Sequence, residues 1–205
     1  MRTPPTPLSL ALSGPALRPL AASSAFLLAL AGCGGGGSSG DAPAPPPAPT
    51  PITLTGTVAV DQAIQNAVVC MDLNANNLCD AGEPTSARTG ANGAYSVSYD
   101  PAAVTAAQVA TASLIAPMVP GAVDSPTTTI DVSQPTIAAT ERAYVLKQVP
   151  GKSGQINPLT TLVTTGMKAG LTEAVARTNA ATQLAIAPAK IDNYQDDPAA
   201  GPDEV

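Results

Sequence analysis

Tyr95, Val97 and Tyr99 alternate with Ala94, Ser96 and Ser98, the period of two by which a strand turns one face to a core and the other to solvent. Asn92-Gly93, directly before this run, is a hairpin-turn signal. The β-branched and apolar run Asn66–Met71 reads as another strand. Ala112–Val119, Thr127–Val132 and Arg142–Val149 are three more, separated by turns containing Pro and Gly. Pro101–Ala110 is rich in Ala and fits either a short helix or an irregular crossover. About six short strands in roughly 100 residues predict a mainly β fold, an antiparallel β-sandwich over residues 52–150.

From Asn157 the rhythm changes. Asn157-Pro158 has the form of an N-cap followed by a first-turn proline, opening a helix from Leu159 to Lys168 that Gly170 ends. Thr172-Glu173 opens a second helix through about Leu184, with Leu171, Ala174, Val175, Thr178, Ala181 and Thr182 along one side. This predicts a helical hairpin over residues 151–190, either a cover for the sandwich or the start of a further domain. Residues 191–205 are acidic and lack apolar periodicity, so they read as a disordered tail.

Before the strands lies a different kind of chain. The apolar stretch Leu20–Leu30 is shorter than the roughly 20 residues a membrane-spanning helix needs, and Arg2 and Arg18 are the only charges before Cys33. Residues 1–32 therefore read as a signal peptide. Gly34–Gly40 is nearly all Gly and Ser, a flexible coil, and Ala42–Pro51 alternates Ala and Pro, which favours extended polyproline II. Neither can bury apolar area, so residues 33–51 read as a tether.

Composition narrows the chemistry. Histidine is absent, which excludes a histidine base and any zinc site built on imidazole. Nine Lys and Arg face fifteen Asp and Glu, a formal charge of −6; removing Arg2 and Arg18 with the signal takes it to −8. An acidic chain without a basic cluster argues against nucleic acid and against an anionic lipid surface. There is no S-x-x-K sequence, and Lys152-Ser153 sits in a Gly-flanked turn. The acids gather in one loop and the tail, which form no acid–base cleft. Gly34–Gly37 is not followed by the Lys-Ser/Thr of a phosphate loop. A non-enzymatic role is expected.

The loop that holds the acids is the strongest chemical signal. In Asp72-Leu-Asn-Ala-Asn-Asn-Leu-Cys-Asp-Ala-Gly-Glu83, oxygen-bearing side chains stand at Asp72, Asn74, Asn76, Asp80 and Glu83, with the Leu78 carbonyl between. These are positions 1, 3, 5, 9, 12 and 7 of an EF-hand loop, whose hard oxygen ligands suit Ca²⁺. Asn77 replaces the usual Gly at position 6, at some cost in strain. A strand, rather than a helix, precedes the loop. The alternative is an Asn/Asp-rich turn whose side chains cap their own backbone.

Gly56-Thr57-Val58, Asn66 to Asn74, Gly82-Glu83-Pro84 and Thr89-Gly-Ala-Asn-Gly-Ala-Tyr-Ser96 together resemble two related families. One is the calcium-binding B-type repeat of serine-aspartate surface adhesins, and the other is the carboxypeptidase-regulatory-like β-sandwich. The resemblance spans roughly Thr55 to Tyr99. It implies an Ig-like or prealbumin-like sandwich and makes Asp72, Asn74, Asn76, Asp80 and Glu83 ligands of a structural Ca²⁺.

Leu30-Ala31-Gly32-Cys33, ending the apolar stretch, resembles a bacterial lipobox. That resemblance implies cleavage before Cys33 and a diacylglyceryl group on its thiol; an ordinary secretory signal is the alternative. Each buried methylene contributes about 0.8 kcal/mol, so several acyl chains hold a protein firmly to a membrane. Gly34 after the cysteine points, by the same resemblance, to the outer membrane. With Cys33 lipidated, Cys70 and Cys79 remain, and outside the cytoplasm such a pair is expected to be oxidised; two reduced buried thiols are the alternative. The expected function is that of a membrane-anchored cell-envelope lipoprotein. Its calcium-stabilised sandwich would serve as a binding or structural module toward an envelope protein or polysaccharide. The alternative is an accessory stalk of a larger surface protein or hydrolase truncated at Val205. The scarcity of aromatics disfavours a carbohydrate-stacking platform and favours a protein partner.

Overall fold

Strand β1 (Ile52–Val58) is the spine of the first sheet, with Ile52, Leu54 and Val58 on one face and Thr53, Thr55 and Thr57 on the other. In the computed structural model, which describes residues 49–193, β1 pairs antiparallel with a later strand, Ala94–Tyr99, from Ile52↔Tyr99 to Thr57↔Ala94. On its other side it pairs parallel with Gly154–Ile156, in register Gly56↔Gly154 to Val58↔Ile156. In chain order the remaining elements are β2 (Ile64–Gln65), β3 (Cys70–Asp72), β4 (the Ala94–Tyr99 strand), α1 (Ala106–Thr111), β5 (Ser113–Met118), β6 (Ile130–Asp131) and β7 (Tyr144–Lys147). They are followed by β8 (the Gly154–Ile156 strand), α2 (Pro158–Lys168), α3 (Glu173–Leu184) and a 3₁₀ turn at Pro188–Ile191. The second sheet runs β3-β5-β7, antiparallel throughout, and β2 and β6 make a small two-stranded ladder.

Among the described residues the fold is mainly β, as expected, in three small sheets with three α-helices. Val58, Tyr95, Val97 and Ile156 from the first sheet and Met71, Leu114, Ala116, Met118 and Leu146 from the second form one buried apolar cluster. A second cluster gathers Val149, Val163, Ala176, Ala180, Ala181 and Ile191 under the helices. Strand and helical parts belong to one compact unit. Among the described residues no helix is long and apolar enough to cross a membrane.

Several expectations need correction. The turn before β4 forms, with Gly93 at φ +66° and its N–H bonded to the Gly90 carbonyl, but it joins no hairpin, because β4 pairs with the distant β1. The pairing is not wholly antiparallel, since β8 lies parallel to β1. That edge strand also falls past residue 150, in the segment assigned to the hairpin. The Thr127–Val132 strand is reduced to Ile130–Asp131, and of Asn66–Met71 only Cys70 and Met71 enter a strand, Asn66 itself having φ +66°. The rest of that run pairs irregularly with Pro84–Thr89: the Val69 N–H donates to Ser86 Oγ (2.9 Å) and the Ala67 N–H to Thr89 Oγ1 (3.0 Å). Side-chain hydroxyls there take the place of ladder carbonyls.

The hairpin forms where its caps place it. The Asn157 side chain accepts the N–H groups of Leu159 and Thr160, both at 2.8 Å, while Thr160 Oγ1 accepts the Asn157 N–H at 3.0 Å, a reciprocal capping box. Thr172 caps α3. The buried face of α3, however, is Ala176, Ala180 and Ala181, while Val175 is 45% and Leu171 38% exposed. The reason is close approach through small residues: a Cβ on Gly166 would stand 3.1 Å from that of Ala176. Arg177 then reaches Glu173 Oε1 (2.7 Å) and both oxygens of Asp192 (2.8 and 2.9 Å), and Lys152 Nζ meets the same Glu173 Oε1. This chain of charges fixes the rotation of α3 and ties it to the turn after it. Ile191, assigned by its sequence to the tail, is fully buried there.

Candidate metal-binding loop

The loop Asp72–Glu83 starts where β3 ends and is pinned at once by a disulfide. Cys70 and Cys79 are bonded, with their Cα atoms 5.6 Å apart, so the pair is a cystine and not two buried thiols. Cys70 itself is fully buried. The bridge draws the eighth residue of the loop back onto the strand that leads into it.

Within the loop the side chains fold inward on the backbone. Asp72 Oδ1 and Asn74 Oδ1 both accept the Asn76 N–H, at 3.1 and 3.0 Å, so the oxygens of positions 1 and 3 converge on one point. Asp72 Oδ2 accepts the Asn77 N–H (3.0 Å) and Asn76 Oδ1 that of Leu78 (2.8 Å). The Glu83 carboxylate closes the loop, accepting the Leu73 N–H at 2.8 Å and the Asp80 N–H at 3.1 Å. Asp80 has a different place: its Oδ2 takes the amide groups of Asn74 (2.8 Å) and Asn76 (2.6 Å), and these bonds, Asn74 first, hold its carboxyl below the ordinary value. Asp80 thus orients the two asparagines. Leu78, at the seventh position, is 59% exposed.

Two backbone positions are strained. Asn77 has φ +66°, the left-handed conformation expected of it, and Ala75 has φ +60° without the local hydrogen-bonding side chain that eases Asn there. Such strain costs on the order of 1–3 kcal/mol and persists only where surrounding contacts impose it.

The donor set fits a hard cation in chemistry. Asp72 and Glu83 contribute carboxylates, Asn74 and Asn76 amide oxygens, and Leu78 a carbonyl; each carboxylate oxygen that accepts one hydrogen bond keeps a second lone pair. Among the described residues no three His, Cys, Asp or Glu side chains stand together as a metal-holding group, and Asp80 Oδ2 is turned to the asparagine amides. Coordination would therefore depend on the amide and carbonyl oxygens.

Lys147 on β7 was not foreshadowed by any local pattern, yet its Nζ donates to Asn77 Oδ1. Burial lowers its pKa most, Lys168 adds to this, and Asp72 pulls it back up. Asp131 was likewise missed. Its Oδ2 accepts the N–H groups of Asp61 (3.1 Å) and Gln62 (3.0 Å), and its Oδ1 the N–H (2.9 Å) and hydroxyl (2.7 Å) of Ser133. Burial pushes this carboxyl up, but the hydrogen bonds from Ser133, Gln62 and Asp61 outweigh it and hold it low. Asp131 is a structural clamp on the turn after β1. Cys33, residues 1–32 and most of the expected tether and tail lie outside the described residues.

No protein-family model, curated protein or solved structure matches this chain.

Proposed function

We propose that the chain is a lipid-anchored protein of the cell envelope, tethered through Cys33 to a membrane, whose Ig-like or prealbumin-like sandwich is stabilised by Ca²⁺ in the loop Asp72–Glu83. The domain is a binding or structural module, without catalytic machinery, that presents its loops to an envelope protein. The observation that carries the reading is the loop itself. The side-chain oxygens of Asp72 and Asn74 converge on one N–H, the Glu83 carboxylate spans the closure, and a disulfide holds the frame. The two three-stranded sheets with a shared apolar cluster support the sandwich, and an acidic chain without histidine supports the non-enzymatic role.

Thermal unfolding with calcium and then with excess chelator tests it. A ligand at about 100 times its Kd stabilises the folded state by roughly 2.7 kcal/mol, so calcium should raise Tm by several degrees. Asp72→Ala combined with Glu83→Ala should abolish that rise. Both carboxylates also bond the backbone, so some loss of Tm in chelator accompanies it. An equal loss in both conditions would reduce these residues to turn caps.

A further inference from the structure

Cys70, Ile115 and Lys147 lie in one row across the second sheet, by the register Cys70↔Ile115↔Lys147, on the face opposite the Leu114 and Ala116 that enter the main core. Residues directly opposite across strands share a face. The disulfide and the lysine therefore hold the same loop from two strands: Cys70 grips Cys79, and Lys147 Nζ grips Asn77 Oδ1. Helix α2 secures the lysine's own strand, since the Lys147 N–H donates to Thr161 Oγ1 at 2.8 Å.

The charge arrangement is unusual for a half-buried ammonium. Lys147 makes no salt bridge among the described residues, and its hydrogen-bonded partner is a neutral amide. That amide belongs to the residue whose N–H is held by Asp72 Oδ2 at 3.0 Å. Asn77 thus stands between a cation and the first acid of the loop, and the upward pull of Asp72 on the Lys147 pKa agrees with that placement.

Resting on the calcium reading above, we infer that Lys147 is the loop's resident cation. It fixes Asn77 in its left-handed conformation and offsets Asp72 in the ion-free loop, and it sets calcium affinity by repelling the incoming ion. It is a positioning residue and not a ligand. The loop is consequently formed before the ion arrives, and the affinity it gains from preorganisation is traded against a fixed positive charge.

Calcium titration by calorimetry and thermal unfolding in chelator, on the full chain and two neutral variants, test this. Lys147→Gln, which can still donate to Asn77, should tighten calcium binding by roughly three- to tenfold, the scale of removing a unit charge near a divalent ion in a solvent-screened setting. The gap should narrow as salt rises, and Tm in chelator should fall. Lys147→Arg keeps the charge and should stay within about twofold of the unaltered chain. Lys147→Met serves as the second neutral variant should the glutamine not fold. Neutral variants that bind calcium no more tightly than the unaltered chain would overturn the inference while leaving the calcium reading intact. If the unaltered chain binds no calcium, the calcium reading fails and this inference with it.

Discussion

Gly56→Ala is the sharpest test of how the first sheet is assembled. Gly56 sits on β1 opposite Tyr95 on one side and Gly154 on the other. The Tyr95 side chain crosses over it, donating its hydroxyl to the Gly154 carbonyl (2.9 Å) and accepting the Gly154 N–H (3.2 Å). Burial, partly countered by the hydrogen bond from the Gly154 N–H, pushes the Tyr95 hydroxyl pKa up to about 12, so it stays a donor throughout the working range of pH. A Cβ on residue 56 would stand 1.9 Å from the Gly154 oxygen and 2.6 Å from the Tyr95 hydroxyl. The first is a backbone atom, so β8 must move, and both tyrosine bonds go with it. Overpacking costs about 1–3 kcal/mol and each lost buried hydrogen bond about 1 kcal/mol, which together give roughly 3–5 kcal/mol. A domain of this kind has about 5–15 kcal/mol in total. Equilibrium urea unfolding at 25 °C and neutral pH measures the loss. Tyr95→Phe, which removes the bonds without the clash, should lose about 1–3 kcal/mol by the same assay. A Gly56→Ala chain within about 1 kcal/mol of the original would refute the close β1–β8 approach.

Other outcomes follow from the same contacts. Replacing Cys70 and Cys79 with Ala should lower stability by about 2.6 kcal/mol, the closure entropy of a loop of about ten residues, read as a shifted denaturant midpoint; a change below about 1 kcal/mol would mean that the loop is held by its hydrogen bonds alone. Asp131→Asn should cost about 2 kcal/mol at pH 7, since it removes charge-assisted bonds to the turn after β1. The folded Asp131 carboxyl titrates below its ordinary value, so its contribution is complete above the unfolded pKa of about 3.9 and is lost as pH falls through the folded value. The gap between the two chains, measured by urea midpoint, should close as pH is lowered toward 2; a gap independent of pH would contradict the clamp.

Much of this molecule was set locally and could be read from the chain. Asn157-Pro158 and Thr172-Glu173 mark the starts of both hairpin helices and Gly170 the end of the first, because such end signals act on backbone only a few residues away. The alternation of Tyr95, Val97 and Tyr99 gave β4 its buried face, and the spacing from Asp72 to Glu83 gave the loop its inward-turned oxygens for the same reason. Two other elements lay outside any clear signal. β8 is three residues long, and Gly56 interrupts the apolar face of β1 at the very point where Tyr95 crosses it. Which strands pair was a matter for the tertiary structure, since an edge records what side chains it needs and not which distant backbone will meet it. The same holds for the exposed Val175, turned outward because Gly166 and Ala176 admit a closer approach than any larger pair, and for Asp131 and Lys147. Both charged groups act on segments far from them in sequence. Periodicity carries no trace of such contacts, because they are made by the packing of whole sheets and not by neighbours along the chain.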